Sequence, residues 1–385
     1  MGYYMAKREV DAVVKLGDLI TIVSSSKQLD GDLFWLLNLD MVEQQTGNII
    51  EYNYVNKNQL NGSIIQFDSD TLLYSKLRPN LNKVVLPLKD GFATSEMLPI
   101  KVDSTQLSKE YLAFYLRSDS FVTWAVSKTA GAKMPRLGTK ELLSKYIPLP
   151  TLAEQQRISQ QFSKLDALIS LRKQQLSKLD ELVKSRFIEM FGDQDTNPLG
   201  WKQCTIGECC TLKSGTTLSA EVENEGGSVP YVKVGDMNFP GNERYITTSS
   251  RYVTEETAGK GLFEVGSIIF PKRGGAIGTN KKRMTKLLIC ADLNVMGVSS
   301  NGELLPEYLF AYFDLIDLGE LSDGSSVPQI NNKNIAPLVI CIPPMELQQQ
   351  FAAFIEQVDK SKFEIQKSLE KLETLKKSLM QKYFG

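Results

Sequence analysis

The last 43 residues of the chain repeat a segment near its middle, and this repeat constrains the fold more than any other feature. A shift of 193 residues places Pro150 on Pro343, and the match runs without a gap until Phe191-Gly192 falls on Phe384-Gly385. Similarity of this length at one fixed shift is the mark of a duplicated structural unit. The sequence therefore predicts two copies of one plan within a single chain.

Each copy of the repeated segment has the apolar pattern of one long helix. Apolar residues recur at alternating spacings of four and three, which is typical of a helix that packs against one partner helix. Thr151 and Glu154 have the spacing of a capping box at the start of the first helix, and Gly192 supplies its stop. We expect the helices to pair as an antiparallel coiled coil roughly 57 Å long, with a pseudo-two-fold relation between the halves of the chain. The predicted coiled-coil seam comprises Ile158, Phe162, Leu165, Ile169, Leu176 and Leu179 in the first helix and Phe351, Ile355, Val358, Ile365, Leu369 and Leu372 in the second.

A globular unit is expected before each long helix. The predicted domains are residues 1–150 (first globular unit), 151–192 (central helix), 193–343 (second globular unit) and 344–385 (C-terminal helix). Short β-type runs such as 63–67 and 71–74 are followed by a helical period over 107–125, and run 71–74 recurs as 267–270. The predicted class is α+β, with each unit mostly β and containing a few helices. Residues 1 to about 10 are expected to form a loose arm.

Three stretches without acidic residues carry clustered Lys and Arg. They span residues 71–89, 120–140 and 266–291; the first and third follow equivalent strands, and the second has only a weak counterpart at Lys333. Phosphates are bound by Lys and Arg, and base edges are read by Arg, Lys, Asn and Gln. A single stretch of this kind is usually a solvated loop, but recurrence makes a DNA-binding role an equally good interpretation. The candidate DNA-binding residues are Lys76, Arg78, Asn80, Asn82, Lys83, Lys128, Lys133, Arg136, Lys272, Arg273, Asn280, Lys281, Lys282 and Arg283.

Catalytic signatures are nearly absent from the sequence. The chain contains no histidine, which excludes His-based metal sites and Ser-His triads, and neither a metal nor a cofactor is predicted for it. Five cysteines without a Cys-x-x-Cys fit neither a disulfide framework nor a zinc site, so a reduced cytoplasm is the simplest setting. No apolar run approaches the ~20 residues that a membrane span needs. A net charge of −1 means that any anionic partner must be bound by local patches.

Two variable units, each followed by a proline, a Gln-Gln pair and a long heptad helix, resemble the specificity subunit of type I restriction-modification systems. The segments that carry the resemblance include residues 73–83, 147–157, 201–207 and 230–237. The resemblance implies that each unit is a target recognition domain for one half of a bipartite DNA sequence, and that the helices set the unread spacer. It also implies a non-catalytic subunit that binds double-stranded DNA and two methyltransferase subunits, which bring S-adenosylmethionine and methylate adenine. Restriction subunits join the complex in some systems.

Two other functions remain open from the sequence. A protein-protein scaffold would use the same helices as a spacer, but its binding would lack the steep salt dependence of phosphate binding. An enzyme, such as a nuclease or a stand-alone methyltransferase, would show turnover when metal or S-adenosylmethionine is added to the purified chain.

Overall fold

The computed structural model describes residues 12–385 except 27, 28, 30, 61, 132 and 225, so the expected N-terminal arm lies outside the described residues. Contacts divide the chain into two compact units. Unit 1 comprises Met1–Arg172 and Ser368–Gly385, and unit 2 comprises Lys173–Lys367. This grouping differs from the four segments expected from sequence because each long helix contributes residues to both units.

Unit 1 consists of short strands and short helices followed by part of a long helix. Its strands are β1 (Ala12–Lys15), β2 (Ile20–Ile22), β3 (Leu33–Leu37), β4 (Asn53–Asn56), β5 (Ile64–Phe67), β6 (Leu72–Ser75), β7 (Val84–Val85), β8 (Gly91–Thr94), β9 (Met97–Val102), β10 (Thr129–Ala130), β11 (Arg136–Leu137) and β12 (Tyr146–Leu149). Its helices are α1 (Lys109–Leu116), α2 (Asp119–Ser127), α3 (Thr139–Ser144), the first part of α4 (Leu152–Phe191) and the last part of α9 (Met345–Phe384). The β-type runs predicted at 63–67 and 71–74 are confirmed as β5 and β6.

Two four-stranded sheets form the centre of unit 1. One has the order β2-β9-β6-β7 with antiparallel neighbours, and the other has the order β4-β3-β8-β5 with β3 and β8 parallel. Trp35, Phe67 and Met97 belong to one buried cluster that draws side chains from both sheets. Burial of such large apolar side chains is the main stabilising contribution to a core of this kind.

The helical period predicted over 107–125 is interrupted in the structure. The chain forms α1 and α2 instead of one helix, because Ser118 adopts an extended backbone and its Oγ accepts a hydrogen bond from the amide N of Phe121 (3.2 Å). Serine is a strong N-cap residue because its hydroxyl satisfies a backbone donor that the first turn leaves unpaired. The apolar period continues across Ser118, so the pattern did not reveal that a second helix begins there.

Unit 2 repeats the plan of unit 1. Its strands are β13 (Lys202–Thr205), β14 (Cys210–Ser214), β15 (Val229–Val232), β16 (Tyr245–Ile246), β17 (Tyr252–Val253), β18 (Leu262–Phe263), β19 (Ile268–Pro271), β20 (Arg283–Thr285), β21 (Ile289–Ala291), β22 (Val295–Ser300) and β23 (Val339–Ile342). Its helices are α5 (Ile206–Cys209), α6 (Glu255–Ala258), α7 (Pro306–Leu315), α8 (Asn332–Ile335), part of α4 and part of α9 (Met345–Phe384). The sheet orders β14-β22-β19-β20-β16 and β17-β15-β21-β18 match those of unit 1 strand for strand, except that β16 is added beside β20.

One cysteine pair departs from the sequence expectation. Cys204 on β13 is joined by a disulfide to Cys209 at the end of α5, with a Cα–Cα distance of 6.4 Å. The expectation that the cysteines fit no disulfide arrangement does not hold for this pair, because the single turn of α5 folds the chain back within five residues. Cys210, Cys290 and Cys341 are buried free thiols.

The two long helices pair antiparallel within each unit. In unit 1 the ring of Phe162 on α4 stacks on that of Phe384 on α9 at 5.8 Å, and Asp166 forms an ion pair with Lys376 (2.6 Å). In unit 2 the ring of Phe187 on α4 packs edge-on against that of Phe351 on α9 at 5.6 Å. The predicted antiparallel pairing is confirmed. All twelve predicted seam residues are buried or half-buried, and their assignment to one seam stays a prediction. The fully buried Phe187 and Phe191 belong to the same face and were missed. No helix among the described residues is long and apolar enough to cross a membrane.

Candidate nucleic-acid interface

In unit 1, two of the acid-free stretches lie side by side. The chain leaves β6 through residues 76–78, and the segment 135–137 runs antiparallel beside them. The amide N of Arg78 donates to the carbonyl O of Pro135 (2.8 Å), and the amide N of Leu137 donates to the carbonyl O of Lys76 (2.9 Å). Cations that the sequence placed in two separate stretches therefore share one surface.

The backbone conformation after β6 is set by two residues in the left-handed region. Arg78 (φ +48°) and Asn82 (φ +50°) flank the short helical turn Pro79–Leu81. Asn tolerates this conformation better than most residues. The buried Asn82 side chain donates from Nδ2 to the Oε1 of Gln45 (3.1 Å) and to the carbonyl O of Arg117 (3.0 Å). Asn82 thus shapes the loop, and its amide faces the protein.

Lys83 also points inward, although it belongs to the predicted DNA-binding set. Its Nζ donates to the carbonyl O of Leu39 (2.5 Å), and burial lowers the pKa of this lysine. A cation held in this way stabilises the loop and offers no group to a phosphate. The candidates of unit 1 that face solvent are Arg78, Asn80, Lys128, Lys133 and Arg136, with Lys76 half-buried.

Arg136 is exposed but paired with a carboxylate. Its Nε donates to Glu96 Oε1 (3.0 Å) and Oε2 (3.1 Å), and its NH2 donates to Oε1 (2.8 Å). These bonds hold the pKa of the Glu96 carboxyl below its usual value. Glu96 is tied in turn to the loop, because the amide N of Lys76 donates to its carbonyl O (3.0 Å). The guanidinium of Arg136 is therefore held at a defined place on the cationic surface.

The same backbone arrangement recurs in unit 2. The amide N of Gly274 donates to the carbonyl O of Pro328 (2.8 Å), and the amide N of Ile330 donates to the carbonyl O of Lys272 (2.9 Å). An antiparallel bridge joins Arg273 to Gln329, as one joins Leu77 to Arg136 in unit 1. The prediction that the two clusters follow equivalent strands is confirmed by this pairing.

Several cations of unit 2 are buried. Lys272 Nζ donates to the Oγ of Ser214 (2.9 Å), and its pKa is lowered by burial. Lys282 Nζ donates to the Oδ1 of Asn280 (2.8 Å) and to the carbonyl O of Ile316 (2.6 Å). Burial lowers the pKa of Lys282 to about 8. Both ammonium groups therefore bond within unit 2.

The neighbouring candidates also make internal hydrogen bonds. Asn280, at φ +52°, accepts from the amide N of Leu318 (2.9 Å), so its amide links two loops. Arg283 donates from NH1 to the carbonyl O of Lys282 (2.7 Å) and from NH2 to that of Met237 (3.1 Å). Burial lowers the pKa of Arg283.

The remaining cations of unit 2 reach solvent more directly. Arg273 is exposed at the end of β19, and Lys281 is half-buried with its Nζ against the Oδ1 of Asn238. Arg273 is therefore the cation of this cluster best placed to meet a phosphate.

Sequence reasoning missed the counterpart of the 120–140 stretch. Residues 134–137 (Met-Pro-Arg-Leu) and 327–330 (Val-Pro-Gln-Ile) match at the shift of 193 that relates the long helices. The structure places both segments beside equivalent strands, with Gln329 at the position of Arg136. The match at a shift of 193 was visible in the sequence. A search for clusters of Lys and Arg did not find it, because the residue that matches Arg136 is the uncharged Gln329.

Comparisons with known proteins agree with this architecture. A family model described as "Type I restriction modification DNA specificity domain" matches residues 9–181 and again 198–377. The type I restriction enzyme MjaIX specificity subunit of Methanocaldococcus jannaschii is 23% identical over 384 residues, covering 91% of this chain and 86% of that protein.

Two solved structures have a similar fold. The crystal structure of a type I restriction-modification system S subunit from M. genitalium superposes with a TM-score of 0.60 at 15% identity, covering 98% of this chain and 97% of that one. A chain solved in work on complex assembly and conformational transition of the type I R-M system has a TM-score of 0.59 at 18% identity, with 98% of both chains covered.

Proposed function

The chain belongs to the type I restriction-modification DNA specificity family and is the specificity subunit of such a system, and from this premise we propose how it selects its target. Each unit reads one half of a bipartite DNA sequence. The paired helices α4 and α9 set the number of base pairs between the two halves.

The observation that carries the proposal is the repeated arrangement beside β6 and β19. In both units the chain leaves a central strand, turns through a left-handed residue and pairs with a Pro-containing segment that returns beside it. Exposed cations such as Arg78 and Arg273 lie on this arrangement, where they suit phosphate contacts that position a reader on DNA. The same backbone arrangement, present once in each unit with different side chains, suits a DNA target whose two halves differ in sequence.

The helices supply the spacing in this proposal. Helix α4 begins in unit 1 and ends in unit 2, and α9 begins in unit 2 and ends in unit 1. Each contains 40 residues, so each rises by about 60 Å, which exceeds one turn of B-DNA at about 34 to 36 Å. A spacer of that length suits two half-sites separated by bases that the protein does not read.

The chemistry is assigned to partner subunits. The family is non-catalytic. We propose that two methyltransferase subunits bind this chain, bring S-adenosylmethionine and methylate adenine, with restriction subunits as an optional addition. The complex would act in the cytoplasm.

Base-resolved mapping of methylated adenines tests this function. Cells with the gene should carry methylation at one split, asymmetric motif, and cells without it should lose methylation at that motif alone. An unchanged map in cells that express the chain and a methyltransferase partner would contradict the proposal and favour a scaffold. Measuring DNA affinity of the purified complex against salt gives a second readout, because phosphate contacts weaken binding steeply as salt rises.

A further inference from the structure

The contacts of Arg136 with Glu96 and Met134 leave two N–H groups of the guanidinium unused. Glu96 accepts from Nε and NH2, and the carbonyl O of Met134 accepts from NH1 at 3.3 Å. A guanidinium has five N–H groups in one plane. Glu96 takes the Nε–H and one N–H of NH2, and Met134 takes one N–H of NH1, so one N–H on NH1 and one on NH2 remain. The side chain is 43% exposed, so it is accessible to a ligand.

Stability does not account for this ion pair. Surface ion pairs typically contribute only about 0 to 1 kcal/mol to folding, because solvent screens them and both side chains lose conformational freedom. What the pair does provide is a fixed guanidinium plane. An arginine that is already ordered loses less side-chain entropy when it binds, which improves both affinity and selectivity.

The two remaining N–H groups of Arg136 suit one particular base. Guanine presents two acceptors, O6 and N7, in the major groove, and bidentate donation from Arg to this pair is the commonest base-specific contact. The exposed cations of the same two stretches, Arg78, Lys128 and Lys133, suit phosphate contacts. The surface therefore combines groups for positioning with one oriented group for reading.

Unit 2 carries different polar residues at the same two positions. Gln329 takes the place of Arg136, and Asn294 takes the place of Glu96, since the amide N of Lys272 donates to the carbonyl O of Asn294 (2.9 Å). A carboxamide offers one donor and one acceptor, which suits adenine rather than guanine. The residue at this position, Arg136 in unit 1 and Gln329 in unit 2, thus differs as expected if each unit reads a different base there.

We propose that Arg136 reads a guanine in the half-site bound by unit 1 and that Glu96 is the positioning residue that orients it. The proposal rests on the function proposed above and specifies which group in unit 1 makes the base contact. It predicts a G·C pair in that half-site.

The test uses the complex of the full chain with its methyltransferase partner and duplexes that carry the methylated motif. Each guanine of the motif is replaced singly by 7-deazaguanine, which lacks the N7 acceptor. We expect one guanine of one half-site to lose roughly tenfold or more in affinity when replaced. The Arg136→Gln complex should be indifferent to that replacement and should prefer adenine at that position, while discrimination within the other half-site stays unchanged and so reports correct folding.

The test of Glu96 must separate a role in orienting Arg136 from a role in stabilising the fold. Glu96→Gln should reduce discrimination at the same guanine while leaving the salt dependence of binding unchanged, and Glu96→Asp should restore part of the discrimination. Lys128→Gln is the contrast, because loss of a phosphate contact weakens binding to all sequences alike and lowers the salt slope by about 1.

Different results overturn the two proposals. If the complex methylates a split motif but no guanine is sensitive, or if Arg136→Gln keeps the wild-type preference at every position, Arg136 is not the reader. If the wild-type complex methylates no split motif, the proposed function itself is wrong.

Discussion

Gln155 and Gln348 lie 193 residues apart and make the same three hydrogen bonds, each near the start of a long helix. Gln155 Oε1 accepts from the amide N of Ser108 (2.8 Å), and its Nε2 donates to the carbonyl O of Gln106 (2.8 Å) and of Pro150 (2.9 Å). The fully buried amide therefore joins the first turn of α4 to the segment that leads into α1.

Gln348 repeats these bonds in unit 2. Its Oε1 accepts from the amide N of Leu305 (2.8 Å), and its Nε2 donates to the carbonyl O of Glu303 (3.1 Å) and of Pro343 (3.0 Å). It is also fully buried. Each globular part is thus attached to its following helix by the same buried amide, so its orientation on that helix is fixed.

Replacing Gln155 with Leu should destabilise unit 1. The change leaves one backbone N–H and two carbonyl groups buried without their partner, which should lower the free energy of unfolding by about 3 kcal/mol. Chemical denaturation of the purified chain measures this. Gln156→Leu is the matched control, because Gln156 is exposed and its loss should change the unfolding free energy by no more than about 0.5 kcal/mol. Equal effects of the two changes would contradict the role assigned to Gln155.

Lys282 should make stability depend on alkaline pH. Its pKa is about 8 in the folded chain, whereas an unfolded lysine titrates near ~10.4. Between these values the unfolded chain binds more protons, so the free energy of unfolding rises with pH. From pH 8 to about 10.5 the wild type should gain up to about 3 kcal/mol relative to Lys282→Met. Parallel pH profiles of these two proteins would show that the lysine is not held in a desolvated site.

Arg273→Ala and Lys272→Ala should have different consequences, although the residues are adjacent. Loss of the exposed Arg273 should weaken binding to one half-site and lower the salt slope by about 1, with little change in unfolding. Loss of the buried Lys272 and its bond to Ser214 should lower the free energy of unfolding by about 1 to 2 kcal/mol. Binding titrations on duplexes with either half-site altered, together with denaturation, separate the two effects. Equal loss of recognition at both half-sites would contradict modular reading.

Lengthening both long helices should lengthen the DNA spacer. Four residues inserted after Arg172 and four after Lys367 add about one turn to each helix, which approximately preserves the direction of the seam and adds about 6 Å. B-DNA rises about 3.4 Å per base pair, so the preferred spacer should grow by about one or two base pairs with both half-sites unchanged. Methylation mapping reads out the spacer directly. The same four residues added after Gly385 are the control, and an unchanged spacer in an assembled insertion variant would refute the spacing role of the helices.

Local patterns were sufficient to predict the repeated plan and the helix pairing. The period of a helix and the direction of its apolar face depend on near neighbours in sequence, so the spacing of residues such as Phe162 and Phe351, both fully buried, was enough to predict two long helices that pair. The start of α2 at Ser118 was missed because a cap residue within a continuous apolar period is a weaker signal than the period itself. The match between 134–137 and 327–330 was also within reach, since it lies at the shift that relates the helices.

Only the tertiary structure decided which cations face solvent. Lys83, Lys272 and Lys282 lie in the same acid-free stretches as the exposed cations, among Asn or Gly residues, and nothing local distinguishes them. Their ammonium groups are buried because acceptors from distant segments, on Leu39, Ser214 and Ile316, lie within hydrogen-bond reach. Arg136 is likewise oriented by Glu96, which lies forty residues earlier in the chain. The charge of a side chain, read from the sequence, limits which groups it can bind. Which of these groups lies within its reach depends on long-range strand pairing, which the local sequence does not encode.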